Sequence, residues 1–581
     1  MEDASVPVDA WGITDGYHDI DGVWHATSPE TRLALRDALG DPDPGPLRWF
    51  VNAGATEPLW GSAQLVLEDG TVLDHVGSLP PDLPLGWHEL HPDDGGPRTE
   101  LVVVPSQCPG AGRRRGLAVL AHELWSADSW EMGDLDDVAT LAARLGHAGG
   151  DTILLGPLHA RLPGADVDPS PYSPSTRRWW DPLWARPGEG RPDRFAPAPR
   201  RLVERHRVYD EAMAALGVEF DAITPGSDSD QIWRDWVQRR GEELVRYCRW
   251  LTVVEAFGSD TSIWPRDLAT PRSPGWHDRF STGEWARRSE FHAWCQWRVD
   301  AALARIAATG TGLITDLAVG FHPDGFDAWD LSDVTCGEVR LGAPPDPFAR
   351  EGQNWGLPPM DPWAVSRARF EPWLGAVRTG LVHGTGLRID HVIGLSRQFW
   401  IPPGGGPEHG AYVRQPREAL MALLTLEAHR AGAFVVGEDL GTVEPSMRTA
   451  MAQRSILGIR VAIFTDDAPA TWPSDTLATV TTHDLPTIAG ILSDPDPDVT
   501  EFRRRLLELG ATTTDPVTSI ATVHRHMMEA GSDVVLLTAD DLCASTHRPN
   551  QPGVVGPPSW CTRLPRPVEE IPLEIFGVTS E

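Results

Sequence analysis

The chain has 581 residues, 41% of them hydrophobic, which suffices for one large domain with insertions plus a smaller one. A formal net charge of -33 repels polyanions, so nucleic acid and anionic membranes are poor partners while a neutral ligand meets no penalty. No lysine occurs, so every fixed cation is an arginine, and Schiff-base or P-loop chemistry that depends on lysine is excluded.

The acidic start, Met1-Glu2-Asp3-Ala4-Ser5, opens no long apolar run, so neither a secretory signal nor a membrane span is expected and the expected location is cytoplasmic. Ser28-Pro29-Glu30 supplies an N-cap, a first-turn proline and an acidic residue for a helix running through Leu33, Leu35 and Leu39 to Gly40. Strands follow. Leu65 to Leu73 reads as a hairpin turning at Asp69-Gly70, and Glu100 to Val104 as a strand closed by Pro105. These elements predict a small β-rich domain over residues 1–112.

Cys108 to Gly116 is turn-rich, and its three arginines, Arg113 to Arg115, read as a solvated linker. Beyond it, strands are predicted at Leu117–Ala121, Thr152–Leu155, Leu313–Leu317, Gly386–Ile389, Phe434–Gly437, Ile459–Ile463, Leu477–Thr481 and Val534–Leu537. Eight strands alternating with helical segments predict an α/β fold, a (β/α)8 TIM barrel over residues 113–581. The gap between the second and third strands is too long for one crossover helix. Its main insertion, about 160–290, is expected to hold helices on the catalytic face and a proline-rich segment near Pro187 to Pro199. The six cysteines, Cys108, Cys248, Cys295, Cys336, Cys543 and Cys561, include no C-x-x-C pair and fit buried reduced thiols rather than disulfides or a zinc site. Most of the 25 tryptophans read as core.

Three segments run an apolar stretch into an acidic residue: Gly386 to Asp390-His391, Val435 to Glu438-Asp439, and Thr481-Thr482-His483-Asp484. In a parallel barrel, strand ends gather at the face built by the strand-to-helix loops, so three such carboxylates converge on one pocket. Retaining glycosidic cleavage needs two carboxylates about 5 Å apart, and a third can steady the cationic sugar. Alternation along a strand puts Arg388 on the side of Asp390, where its charge would keep that carboxylate ionised. The apolar run before Glu438 suggests a dry strand end suited to a proton donor. No His pair at i, i+4 spacing or His-x-x-Glu set points to a metal, and no cofactor is implied.

Taken together, these segments resemble glycoside hydrolase family 77, the amylomaltases or 4-α-glucanotransferases, from about Trp125 to Pro567. Trp125-Ser126 through Trp130-Glu131-Met132-Gly133-Asp134-Leu135 is similar to the family's first strand-to-helix loop. Ser170-Pro171-Tyr172-Ser173-Pro174 and Gly352-Gln353-Asn354-Trp355-Gly356 resemble its sugar-binding segments, and Asn550, Pro552 and Gly553 its late barrel loop. The resemblance implies Asp390 as nucleophile, Glu438 as general acid/base and Asp484 as the third carboxylate. It implies sugar contacts from Arg388, His391, His483, Ser170, Gln353, Asp439, Asn550 and Gly553, with Tyr172, Phe348 and Trp355 as stacking rings. The implied ligands are maltooligosaccharides and other α-1,4-glucans, without metal; nothing in the chain points to a particular oligomeric state. Val554, Pro347, Asp181 and Leu485 depart from the family pattern at positions assigned to subsites. Four functions stay open at this level: glucan transfer, α-glucan hydrolysis by the same triad, transfer to a cyclitol or aminosugar, and glucan binding without catalysis.

Overall fold

In the computed structural model, eight parallel strands form one sheet: β1 (Arg114–Val119), β2 (Thr152–Leu155), β3 (Gly312–Leu317), β4 (Gly386–Ile389), β5 (Phe434–Gly437), β6 (Gly458–Val461), β7 (Thr476–Thr479) and β8 (Val534–Thr538). The structure describes residues 6–19, 22–163, 168–188, 191–193, 202–273, 275–345, 349–441, 443–494, 499–512, 515–552, 554 and 556–577. Strand order is β5-β4-β3-β2-β1-β8-β7-β6, the cyclic order of a (β/α)8 barrel. At the remaining gap Val436 of β5 bridges in parallel to Leu457, the residue before β6, and Gly437 N donates to Leu457 O over 2.8 Å. Every residue of β3, β4, β5 and β7 is buried, which is why these strands show mainly apolar residues with no regular alternation of polar ones.

All eight predicted strands are present, three of them (Thr152–Leu155, Gly386–Ile389 and Phe434–Gly437) with the predicted ends and five with shifted ones. β1 starts at Arg114, three residues ahead of the predicted Leu117. Arg114 and Arg115 are therefore strand residues and not a solvated linker. Arg115 Nη1 donates to the carbonyls of Arg114 (2.8 Å) and Asp533 (3.1 Å), and Arg114 Nε to that of Ala111 (2.9 Å). β6 ends at Val461 because a 3-10 turn takes over at Ala462–Phe464. β7 ends at Thr479, whose hydroxyl donates to the Thr481 carbonyl over 2.8 Å as the chain turns out of the ladder.

The chain divides into two compact units, Met1–Gly110 with Leu331–Val382 and Ile389–Gly458, and Ala111–Asp330 with His383–Arg388 and Ile459–Glu581. In the first, helix Pro29–Leu39 is capped by Ser28, whose Oγ accepts from Thr31 N over 3.0 Å, and it stops at Gly40 with φ 67°. A five-stranded sheet follows in the order Leu47–Asn52, Thr99–Val104, Gly86–Pro92, Pro58–Val66, Val72–Ser78, packed around Leu65, Leu79, Leu101 and Val103. The predicted hairpin is there, with Leu65 paired to Leu73 and Val66 to Val72. A second, four-stranded antiparallel sheet, Gln353–Asn354, Arg340–Ala343, Arg397–Ile401 and Ala411–Arg414, was not foreseen. Its strands lie inside the β3–β4 and β4–β5 crossovers.

In the second unit the long β2–β3 crossover carries helices Arg205–Asp221, Asp228–Arg240, Glu242–Phe257 and Gly283–Ala308 around Leu216, Phe220, Trp233 and Trp294. Most of the expected proline-rich segment, Pro187 to Pro199, lies outside the described residues. The loop after β1 is held by a capping box: the Asp134 carboxylate accepts from the amides of Asp136 and Asp137, and Asp137 accepts from Asp134 N. Arg186 adds ion pairs to Asp134 and Asp137, both 2.6 Å, with all three side chains largely buried. Asp134→Ala removes a cap and half of a buried ion pair and is expected to lower the unfolding free energy by about 3 kcal/mol. Asp134→Asn, which keeps the acceptor, should lose clearly less. Denaturant unfolding of the two variants checks this, and an unchanged Ala variant would show that the loop is held by something else.

Candidate active site

The assigned residues fall into two groups, one within each unit. In the first unit the ends of β4 and β5 meet out of regular register. Glu438 N donates to Ile389 O and Val392 N donates to Glu438 O, both over 3.0 Å. A regular parallel ladder would use the His391 amide for the second bond; here Asp390 and His391 together face Glu438, a bulge made possible by the left-handed backbone of His391, φ 47°. The displaced His391 amide turns to the Glu438 side chain, donating to Oε2 over 2.9 Å, while Leu440 N donates to Oε1 over 2.9 Å. Two backbone donors thus fix the Glu438 carboxylate beside the bulge that holds Asp390 and His391.

The His391 ring meets Trp355 edge-on, with centroids 5.2 Å apart, and burial, helped by the nearby Arg397 charge, pushes its pKa down to about 4. It is a neutral ring at neutral pH. Trp355 Nε1 donates to Gln353 Oε1 over 3.1 Å, so the amide and the indole of that segment set each other's orientation. Asp439 is buried and ion-paired to Arg448 over 3.0 Å. Its charge is met by the helix Pro445–Gln453 that follows.

In the second unit, Arg388 at the end of β4 is paired with Asp316 of β3: Nη1 lies 2.7 Å from both carboxylate oxygens, and both side chains are buried. The Tyr172 hydroxyl donates to the same carboxylate over 2.7 Å. The Tyr172 ring stacks on His483 at 5.1 Å, and Trp560 packs on both rings at 5.5 and 5.4 Å. Ser170 shapes the turn that carries Tyr172, its Oγ accepting from Tyr172 N over 3.2 Å. Asp484 accepts from Asn550 Nδ2 over 2.6 Å and lies 3.4 Å from His483 Nε2, while Asn550 N donates to His483 O over 3.0 Å.

The electrostatics of the His483–Asp484 pair run both ways. Desolvation acts against the charge of Asp484, but the His483 ring, the Asn550 amide and the Arg388 charge outweigh it and hold the carboxyl well below its ordinary range. Burial likewise works against a charged His483, and the adjoining Asp484 carboxylate overrides it, raising the imidazole pKa. Among the described residues no group of three His, Cys, Asp or Glu side chains is placed to hold a metal ion. Phe348 and Gly553 lie outside the described residues.

Asp316 and Trp560 escaped the sequence reading. Asp316 had a signal: a carboxylate inside a fully buried strand requires a cation or donors beside it. Asp181, read as a subsite position, is fully buried, with its Oδ2 3.3 Å from Arg161 Nε and paired also to Arg205, so it presents no oxygen to a ligand. The two arginines neutralise the charge that an aspartate brings to this position.

The family model for glycoside hydrolase family 77, described as 4-alpha-glucanotransferase, matches residues 121–569. The chain belongs to this family. The 4-alpha-glucanotransferase of Mycobacterium tuberculosis is 33% identical, with 90% of this chain and 84% of that protein covered. That of Haemophilus influenzae is 28% identical over 71% and 66% of the two chains. Among solved structures, amylomaltase from Corynebacterium glutamicum superposes with a TM-score of 0.83 at 26% identity, covering 98% of this chain and 97% of that one. Amylomaltase from Streptococcus agalactiae in complex with acarbose shares the fold, with a TM-score of 0.67 at 16% identity and coverage of 80% and 97%. Within this family 77 chain no helix among the described residues is long and apolar enough to cross a membrane.

Because His483 is raised by one neighbour against its burial, its titration has a definite sign. The imidazolium–carboxylate contribution to stability is complete below the ordinary histidine value of about 6.5 and is lost as pH rises through the raised native value. A histidine NMR titration should give a midpoint above about 6.5 for His483 in the native chain and below about 6.5 in Asp484→Asn, where burial acts unopposed by that carboxylate. A midpoint that does not move in the variant would remove Asp484 as the cause.

Proposed function

We propose that the protein moves α-1,4-glucan segments between maltooligosaccharides by double displacement, with Asp390 as nucleophile and Glu438 as general acid/base. The observation that supports this reading is the bulge that brings Asp390 and Glu438 to facing backbone positions on neighbouring strands, with the Glu438 carboxylate gripped by the amides of His391 and Leu440. Asp390 attacks the anomeric carbon, the bond to the leaving 4-oxygen breaks, and Glu438 gives that oxygen its proton, leaving a β-glycosyl ester on Asp390. An acceptor's 4-hydroxyl then loses its proton to Glu438, its oxygen bonds the anomeric carbon, and the ester breaks. Two inversions restore the α configuration.

Asp484, steadied by Asn550 and His483, is assigned to sugar hydroxyls as the ring flattens toward the oxocarbenium state. His391 and His483 are assigned to further hydroxyls, and Trp355 and Tyr172 to stacking on sugar faces. Arg388 we read as the cation that holds Asp316 and Tyr172 in place. Water at ~55 M competes with an acceptor at ~1 mM, a handicap of roughly 6 kcal/mol by the tenfold-per-1.4 rule. Acceptor subsites must therefore bind sugar well and keep water away. Six free and buried cysteines support the cytoplasm as the site of action.

Incubated with maltotriose alone, the protein is expected to give a ladder of longer and shorter maltooligosaccharides plus glucose at constant reducing ends. Rising reducing ends with only shorter products would mean hydrolysis instead. Asp390→Ala and Glu438→Gln should each lose at least ~10³ in turnover with the fold intact by circular dichroism; near-native rates in either would sink the assignment. Trp355→Ala should shift the transfer-to-hydrolysis ratio toward water, and an unchanged ratio would return that ring to loop packing.

A further inference from the structure

Trp60 lies far from either group of assigned residues in sequence, on the strand Pro58–Val66 of the N-terminal sheet, and its relative exposure is 109%. A tryptophan is among the most buried residue types on average, so a ring wholly in solvent on a regular sheet calls for an occupant. The backbone around it is built outward. Between the pairs Pro58–Ser78 and Ala63–Val76 the Trp60 strand runs five steps against two in its partner, a bulge with Trp60 near its crest. Between Ala63–Val76 and Leu65–Leu73 the excess passes to the other strand, where His75 takes a left-handed φ of 55°. Gly61 and Gly77, on the two paired strands, are bordered by open space, since a Cβ added to either would meet no atom within 4 Å.

Polar side chains are carried by the same sheet, and the Asp93 amide donates to the carbonyl of Ser62, two residues from Trp60. His75 is 81% exposed and sits 2.8 Å from Asp93, while Gln64 Nε2 donates to Asp74 Oδ1 over 2.9 Å. Exposed carboxylates and an amide on the same sheet as an exposed aromatic ring match a ligand that offers apolar C–H faces and hydroxyl donors at once, which is the chemistry of a neutral sugar chain. Asp74 and Asp93 disfavour an anionic ligand. A second copy of the chain is a poor occupant: each carries a net charge of -33, and the outer strand, Val72–Ser78, is kinked by His75 and charged at Asp74, features that blunt edge-to-edge pairing.

We infer that the bulged face around Trp60 is a second, non-catalytic binding site for α-glucan chains, holding long polymers to the N-terminal sheet. The inference rests on the glucan reading given above. Its test uses binding that needs no turnover: retardation of the full-length protein in native gels containing glycogen or amylose, beside maltotriose disproportionation by the same preparations. Trp60→Ala should bind glycogen at least about tenfold more weakly, while its kcat and KM for maltotriose stay unchanged. Trp60→Phe, which keeps a ring, should recover most of the retardation. Undiminished retardation of Trp60→Ala would overturn the inference, as would a loss matched by lost maltotriose turnover, or a shift in sedimentation from dimer to monomer with glycogen binding intact. Failure of wild-type protein to disproportionate maltotriose would count against the proposed function alone, because the retardation comparison reads the Trp60 site regardless.

Discussion

The constraint on which the reading of the reaction depends is the bulge at the end of β4. One residue with a left-handed backbone, His391, takes its amide out of the ladder and turns it to the Glu438 carboxylate, while Val392 completes the backbone bond that His391 gave up. Holding a non-glycine residue there costs on the order of 1–3 kcal/mol, and the flanking bonds to Ile389 and Val392 keep it in place. The return is positional. A carboxylate held by two amides has little freedom to swing, and its backbone is registered against the neighbour of Asp390. Spacing between two reacting carboxylates decides between retention and inversion, so on the proposed mechanism a sheet-level irregularity would have a stereochemical consequence.

The second unit uses a different device, mutual neutralisation in a low-dielectric setting. Arg388 meets Asp316, Asp484 meets His483 and Asn550, and the tyrosine hydroxyl between them is already donating to Asp316. Every fixed cation is an arginine, whose charge survives burial better than that of lysine. Arginines also meet buried carboxylates away from the site, Asp181 beside Arg161 and Arg205, and Asp134 and Asp137 beside Arg186, and these pairs carry loops rather than ligands. A buried aspartate in this chain is informative only once its arginine is known.

That point separates what the sequence made legible from what it did not. The barrel strands could be read because a parallel strand covered on both faces must be apolar throughout, and the strand-end carboxylates stood out because they break such runs. Asp316 stayed hidden because it lies inside its run, and its partners, Arg388 and Tyr172, are 72 and 144 residues away. Trp560 followed a turn-rich segment with no periodicity. The four-stranded sheet was missed because its strands are short and embedded in crossovers, where helices are the default expectation. Arg388 was read toward Asp390 by strand alternation; the structure pairs it across the sheet with Asp316, a relation that needs the neighbouring strand to be known. The bulge itself had no sequence signal, since histidine at a left-handed position is not marked by glycine or asparagine.

The claim that Asp390 forms the covalent bond to sugar is open to a direct test. Glu438→Gln, given an α-maltotriosyl fluoride donor whose leaving group needs no proton, should complete the first step and stall at the second for want of a base. Mass spectrometry of peptic fragments should then find a maltotriosyl adduct on the peptide that contains Asp390. An adduct on another carboxylate, or free sugar released with inverted configuration and no adduct at all, would contradict the account.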